Sequence, residues 1–176
     1  MAIRANHYDS AFEAYVRSER WPYVAINEAR RACVEDVSLK SLDFIVATPA
    51  WGQCLVDVKG RRWPGLGQRG RRWENWVTQD DLDSVARWES VFGPGYRGLF
   101  VFAYNLPADR RAPDDVARFT FRERDYAFFG VWADDYRQAM RTRSSKWDTV
   151  WLPSRPFREL RFALADVHAS SPITAP

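Results

Sequence analysis

Two apolar β-type runs, LDFIVAT at 42–48 and QCLVDVK at 53–59, bracket the turn signal PAWG, and this pairing constrains the chain more than any other stretch. A hairpin closing near residue 50 pairs positions whose numbers sum to about 100, so Val46 is expected opposite Cys54 and Asp43 opposite Asp57. Strand side chains alternate, which gives Asp43, Ile45 and Ala47 one face and Leu55, Asp57 and Lys59 one face of the neighbour. Both aspartates and the lysine are then expected on the same side of the sheet. Charges in a half-buried strand cost free energy unless they are paired or bound to something. A structural ion pair at a strand end is one account of Asp57 and Lys59, and a catalytic site is the other. The ion pair leaves Asp43 unexplained. Opposed side chains have Cβ atoms about 4.5–5.5 Å apart, where two carboxylates repel unless a cation lies between them. A hard divalent ion such as Mg²⁺ takes oxygen ligands and keeps waters for a phosphate. Lys59 points into the same space, where an ammonium can orient a water and neutralise phosphate charge. These parts suffice for phosphodiester hydrolysis.

The rest of the chain frames this hairpin. YDSAFEAYVRSER at 8–20 has Phe12, Tyr15 and Val16 at helical spacing and is stopped by Pro22, so it reads as an amphipathic helix carrying Glu13. A short strand follows at 22–26. QDDLDSVARWESVF at 79–92 reads as a second helix, with Leu82, Val85, Trp88 and Phe92 on one stripe and acids at its start. After Gly93–Gly95, RGLFVFAYNL at 97–106 reads as a buried strand. The order is helix, three strands, helix, strand. Beyond a polar loop, 118–133 reads as a hairpin and Asp134 to about Arg143 as a short helix, while the Pro153 and Pro156 region reads as irregular. We expect one domain over 1–165, with a core at 7–106 and an appendage at 107–165, and a disordered tail at 166–176.

Between Lys59 and Arg72 lie six basic residues and no acid: Lys59, Arg61, Arg62, Arg69, Arg71 and Arg72, with Trp63 and Trp73 within the segment or just past it. Such a loop is either a solvated charge run or a cradle for an anionic polymer. Its indoles either stack on bases or fold back onto the sheet. The two cysteines, Cys33 and Cys54, have neither metal spacing nor a disulfide pattern, which makes a reducing cytoplasmic setting the default. No apolar run reaches the roughly 20 residues needed to span a bilayer. Charges at Arg4, Asp9, Glu13, Arg17, Glu19 and Arg20 argue against a signal peptide, so no membrane partner is expected.

Glu13 on a first helix, Asp43 on a second strand, the triplet Asp57, Val58 and Lys59 on a third, and a helix after them resemble the PD-(D/E)xK nuclease superfamily, particularly its Holliday-junction-resolvase-like and restriction-endonuclease-like branches. The resemblance covers roughly residues 7–106. It departs from the family pattern in having Leu42 before Asp43 and an aspartate at position 57 where glutamate is commoner. The resemblance implies an α/β fold with an αβββαβ restriction-endonuclease-like core and a mixed central sheet flanked by helices, here followed by a β-hairpin and helix. It implies Mg²⁺, or Mn²⁺, on Asp43, Asp57 and the Val58 carbonyl, a catalytic Lys59, and accessory roles for Glu13 and Gln79. The expected activity is metal-dependent cleavage of DNA, with Arg61, Arg62, Trp63, Arg69, Arg71, Arg72 and Trp73 as the nucleic-acid surface. A homodimer is left open. Two other classes stand beside it: a silent module that binds nucleic acid through the arginine loop, and a protein-interaction domain using its aromatics.

Overall fold

The computed structural model describes residues 6–26, 32–34, 37–63, 73–106 and 116–169. Helix α1 (His7–Ser18) starts where the Asn6 side chain accepts the Tyr8 N–H, and it buries Ala11, Phe12, Tyr15 and Val16 along one stripe. It is followed by β1 (Tyr23–Ala25), a two-stranded ribbon of β2 (Ala32–Val34) and β3 (Val37–Leu39), then β4 (Phe44–Thr48) and β5 (Gly52–Arg62). The β4–β5 turn closes through Gly52 at φ 72°, a conformation for which glycine has no Cβ penalty. The register is the expected one, with Val46 opposite Cys54 and Phe44 opposite Val56. Next come β6 (Val77–Thr78), α2 (Gln79–Phe92) and β7 (Tyr96–Leu106). A capping box between Thr78 and Asp81 starts α2, and two acids in its first turn complement the helix dipole.

Strand β5 pairs antiparallel with β4 on one side and parallel with β7 on the other, which makes the sheet mixed. Beyond β7 lie β8 (Phe119–Phe121), β9 (Arg124–Trp132), α3 (Ala133–Ala139), β10 (Arg141–Ser144), β11 (Thr149–Trp151), α4 (Ser154–Leu160) and β12 (Phe162–Ala163). The central sheet runs β1-β4-β5-β7-β9-β12, with β8 against β9. Alternation along β5 divides two cores. Cys54, Val56 and Val58 face α1, with Phe12 edge-on to Phe44 at 5.1 Å. Leu55 faces α2, α3 and α4 with Phe100, Phe102, Tyr136 and Phe157.

Three expectations for the C-terminal third need correction. Residues 116–163 are not an appendage, because β8, β9 and β12 extend the central sheet and Tyr136 and Phe157 enter the larger core. The region expected to be irregular contains β11, which joins β10 and β6 in a three-stranded sheet, and α4. Polar RTRS hides its strand character, and the partner of β11 lies far back in the chain at Val77 and Thr78. Buried Asn75 completes that join, accepting the Leu152 N–H at 3.0 Å and donating to the Leu152 carbonyl at 2.9 Å. The chain also continues past 165 as a 3-10 helix, Leu164–Ala169, with Val167 buried. Residues 170–176 lie outside the described residues.

Gly60 is where α1 crosses β5. A Cβ there would lie 2.1 Å from Cδ2 of Tyr8. Gly60→Ala is therefore expected to lift the start of α1 and cost about 1–3 kcal/mol by overpacking, read as a lower midpoint in urea unfolding.

Candidate active site

The β4–β5 ladder stops at Phe44 and Val56, but β5 continues to Arg62 with β7 as its one strand partner among the described residues. Where β4 is missing, a side chain takes over: the Val58 N–H donates to Oδ2 of Asp43 at 2.6 Å, while the Asp43 N–H donates to the Val56 carbonyl at 3.0 Å. Backbone groups of residues 56 and 58 point to the same side of β5, so the Val58 carbonyl faces this gap as well. The gap is a cleft of about 150 Å³ lined by Asn6, Asp9, Lys40, Ser41, Asp43, Asp57, Val58 and Lys59. Asp43 and Asp57 are buried, at 5% and 7% exposure.

Lys59 reaches across β5 to α2. Its Nζ is 2.8 Å from Oδ1 of Asp57 and 3.0 Å from Oδ2 of Asp81. The other Asp81 oxygen meets Nζ of Lys40. Burial pushes the Asp57 carboxyl above the usual range; Lys59 pulls it back, and Asp81 adds to the rise. Burial alone would lower Lys59, but Asp57 and Asp81 override it and hold the ammonium above its ordinary value. For Asp81, burial is outweighed by Lys59 and Lys40, leaving its carboxyl at about 2. Its folded value is thus depressed, so the stability it contributes is present above pH 3.8 and is lost as pH falls toward 2. Asp81→Asn is expected to cost about 2 kcal/mol at neutral pH, with the deficit closing in acid. Urea titrations of both proteins at pH 7 and pH 2.5 check this.

The structure brings together Asp43, Asp57, Val58 and Lys59, and it separates the other expected groups from them. Glu13 is engaged elsewhere on α1, accepting from Arg17 at 3.1 Å and from the Tyr23 hydroxyl at 2.9 Å. The α1 acid that lines the cleft is Asp9, one turn earlier and 2% exposed. Gln79 donates to Asp83 at 3.0 Å on the helix surface, and Asp81 is the α2 residue that reaches Lys59. Arg61 is buried and donates to the carbonyls of Gly60 and Trp76, so it does not present its guanidinium to a ligand in the way expected of a backbone contact. Arg62 is exposed. Trp63 and Trp73 fold onto the sheet, 4.6 Å apart, with Trp73 4.9 Å from Tyr104; their ring faces serve the core rather than bases. Arg69, Arg71 and Arg72 lie outside the described residues.

Two of the three charged site residues absent from the expected set, Asp9 and Asp81, carry a local signal in the sequence. Asp9 falls three and seven residues before Phe12 and Val16 on the buried stripe, whereas Glu13 lies beside it. Asp81 is the fourth residue of a T-x-x-D capping pattern. Lys40 had no such signal.

The donor set fits a hard divalent ion. Two buried carboxylates, one held above its normal range by desolvation, share the cleft with a main-chain carbonyl. Among the described residues no three His, Cys, Asp or Glu side chains converge as a metal cluster. Mg²⁺ does not require three, since it is commonly held by one or two carboxylates with waters and substrate oxygens.

No protein-family model matches the sequence, and no curated protein matches it. The fold is similar to a solved structure of the Holliday junction resolvase Hjc from the archaeal hyperthermophile Archaeoglobus fulgidus, with a TM-score of 0.51 at 10% identity over 94% of this chain and 95% of that one. The likeness establishes a restriction-endonuclease-like α/β fold. Among the described residues no helix is long and apolar enough to cross a membrane.

Proposed function

We propose that this chain is a metal-dependent endonuclease acting on DNA, with branched DNA the first substrate to test. The carrying observation is the cleft left where β4 stops short of β5, lined by Asp43, Asp57, Val58 and Lys59 together. The resolvase-like fold supports the reading. Asp43, Asp57 and the Val58 carbonyl would hold Mg²⁺ or Mn²⁺. Such an ion, when bound, activates water and polarises a phosphoryl oxygen.

The chain's own residues do the rest. Lys59 is kept cationic by two carboxylates, so it neutralises charge on the phosphate and orients the water rather than accepting its proton. Asp81 is a positioning residue: fixed by the Thr78 N–H at 2.8 Å, it holds the ammonium in place. Asp9 takes the α1 role expected of Glu13, acting on the cleft through water. Lys40, half-exposed at the mouth, offers a second ammonium to the phosphate. Arg62, with Arg69, Arg71 and Arg72, engages flanking phosphates.

The test is cleavage of four-way-junction, linear and supercoiled DNA with Mg²⁺, with Mn²⁺ and with EDTA, by wild type and Asp43→Asn. Metal-dependent nicking by wild type, reduced about a hundredfold or more in the variant, is expected. Equal nicking by both proteins rules out Asp43 as a ligand. Salt-sensitive DNA binding without turnover identifies a silent binding module instead.

A further inference from the structure

The hairpin of β10 and β11 ends in a cationic tip that the cleft does not use. Trp147 stands there at 70% exposure, the most exposed of the large apolar side chains described. Lys146 is exposed next to it, Arg141 and Arg143 are exposed along β10, and Asp148 is the one acid of the hairpin. The Lys146 ammonium lies 5.5 Å from the Trp147 ring.

This tip is fixed rather than dangling. The Trp147 N–H reaches Oγ of Ser144 at 3.3 Å, and Asp148, at φ 44°, turns its carbonyl to accept the Gln79 N–H at 2.9 Å. Thr149 and Val150 behind it are buried, paired with Thr78 and Val77 of β6. The contact at Gln79 lies two residues from Asp81, which holds Lys59. On the flank, the guanidinium groups of Arg143 and Arg61 both lie against the Trp76 ring, at 5.1 and 4.2 Å. Tip and cleft therefore share one rigid frame.

The surroundings of Trp147 decide its partner. A protein-binding anchor sits among other apolar side chains inside a rim. Among the described residues the other exposed large apolar side chains are elsewhere: Val24 on the short strand β1, and Val91 and Phe92 at the far end of α2 from Gln79. An indole flanked by Lys146, on a hairpin that also exposes Arg141 and Arg143, suits a base, whose ring stacks while its phosphates meet Arg and Lys.

Resting on the nuclease reading, we propose that the β10–β11 tip is a base-stacking site: Trp147 stacks on an unpaired base of the DNA while Arg141, Arg143 and Lys146 hold the adjoining phosphates. It makes the enzyme selective for DNA with unstacked bases beside the point of cleavage.

The test uses the full chain in EDTA with a DNA duplex carrying one extrahelical 2-aminopurine, and with its fully paired counterpart. Wild type is expected to bind the former more tightly and to quench its fluorescence. Trp147→Ala is expected to lose the quench and to bind this DNA about tenfold or more weakly, while binding paired DNA as before; Trp147→Phe restores part of both. An exposed side chain gives no reason for misfolding, and an unchanged melting temperature confirms it. Overturning results are a Trp147→Ala protein with undiminished preference and quench, or a dimer on sizing that Trp147→Ala dissolves without changing DNA binding. In either case metal-dependent cleavage by wild type leaves the nuclease reading intact. If wild type neither binds nor cleaves DNA, both fall.

Discussion

Asp57→Asn is expected to abolish metal-dependent DNA cleavage while leaving the protein as stable as wild type, or more so. The two effects share one cause. Burial raises the Asp57 carboxyl and the neighbouring Asp81 raises it further, against the pull of Lys59. A carboxyl whose folded value lies above its unfolded one opposes folding once pH exceeds the folded value, and the opposition is relieved on acidification. Asparagine removes that charge at every pH, and Lys59 keeps Asp81 at 3.0 Å. Calorimetry in EDTA is expected to give a melting temperature at or above that of wild type. With millimolar Mg²⁺ the wild-type melting temperature rises by mass action and that of the variant does not. Wild-type cleavage rates in Asp57→Asn would sink the assignment.

Lys59→Ala is the second large effect, and here activity and stability fall together. Removing an electrostatic group aimed at a transition state costs about a hundredfold or more in rate. Removing one partner from a buried ion network costs about 3–5 kcal/mol, because Asp57 then loses its paired cation and Asp81 keeps only the half-exposed Lys40. The lysine's folded value is raised, so its contribution is complete below pH 10.5 and is lost only as pH climbs through that higher value. In the variant the deficit shrinks as pH drops, since both carboxylates can take a proton. Urea midpoints at pH 5 and pH 8, with cleavage assayed where both proteins are folded, separate the two losses. Lys59→Arg keeps the charge and is expected to recover stability more than rate, since a planar guanidinium does not reproduce the compact ammonium.

The hairpin, both long helices and the buried strand after them were legible because each announces itself locally: a turn signal between apolar runs, a stripe at helical spacing, a glycine stop. So was the convergence of Asp43, Asp57 and Lys59, since strand alternation converts numbering into facing. What escaped was tertiary. Choosing Asp9 over Glu13 requires knowing which edge of α1 looks along the sheet, and Asp9 disguises itself as a charge on an apolar stripe. Asp81 serves three partners, the Thr78 backbone, Lys59 and Lys40, and only the first is visible in the chain. Trp63 and Trp73 sit beside arginines in sequence but against Tyr104 in space, so the sequence left base stacking and core packing equally open where packing gives core. The three-stranded sheet joins Val77 to Val150, a separation no local pattern carries.

The parallel seam between β5 and β7 bears on when the cleft is assembled. Every cleft residue from Asn6 to Lys59, and Asp81 too, precedes β7, yet β5 lacks its whole second edge until residues 96–106 arrive. Parallel pairing needs a long crossover and is slow to close. A chain emerging from the ribosome thus displays every residue of the cleft well before it can hold them in register. The cleft is therefore complete only with the finished sheet, all at once and not by degrees.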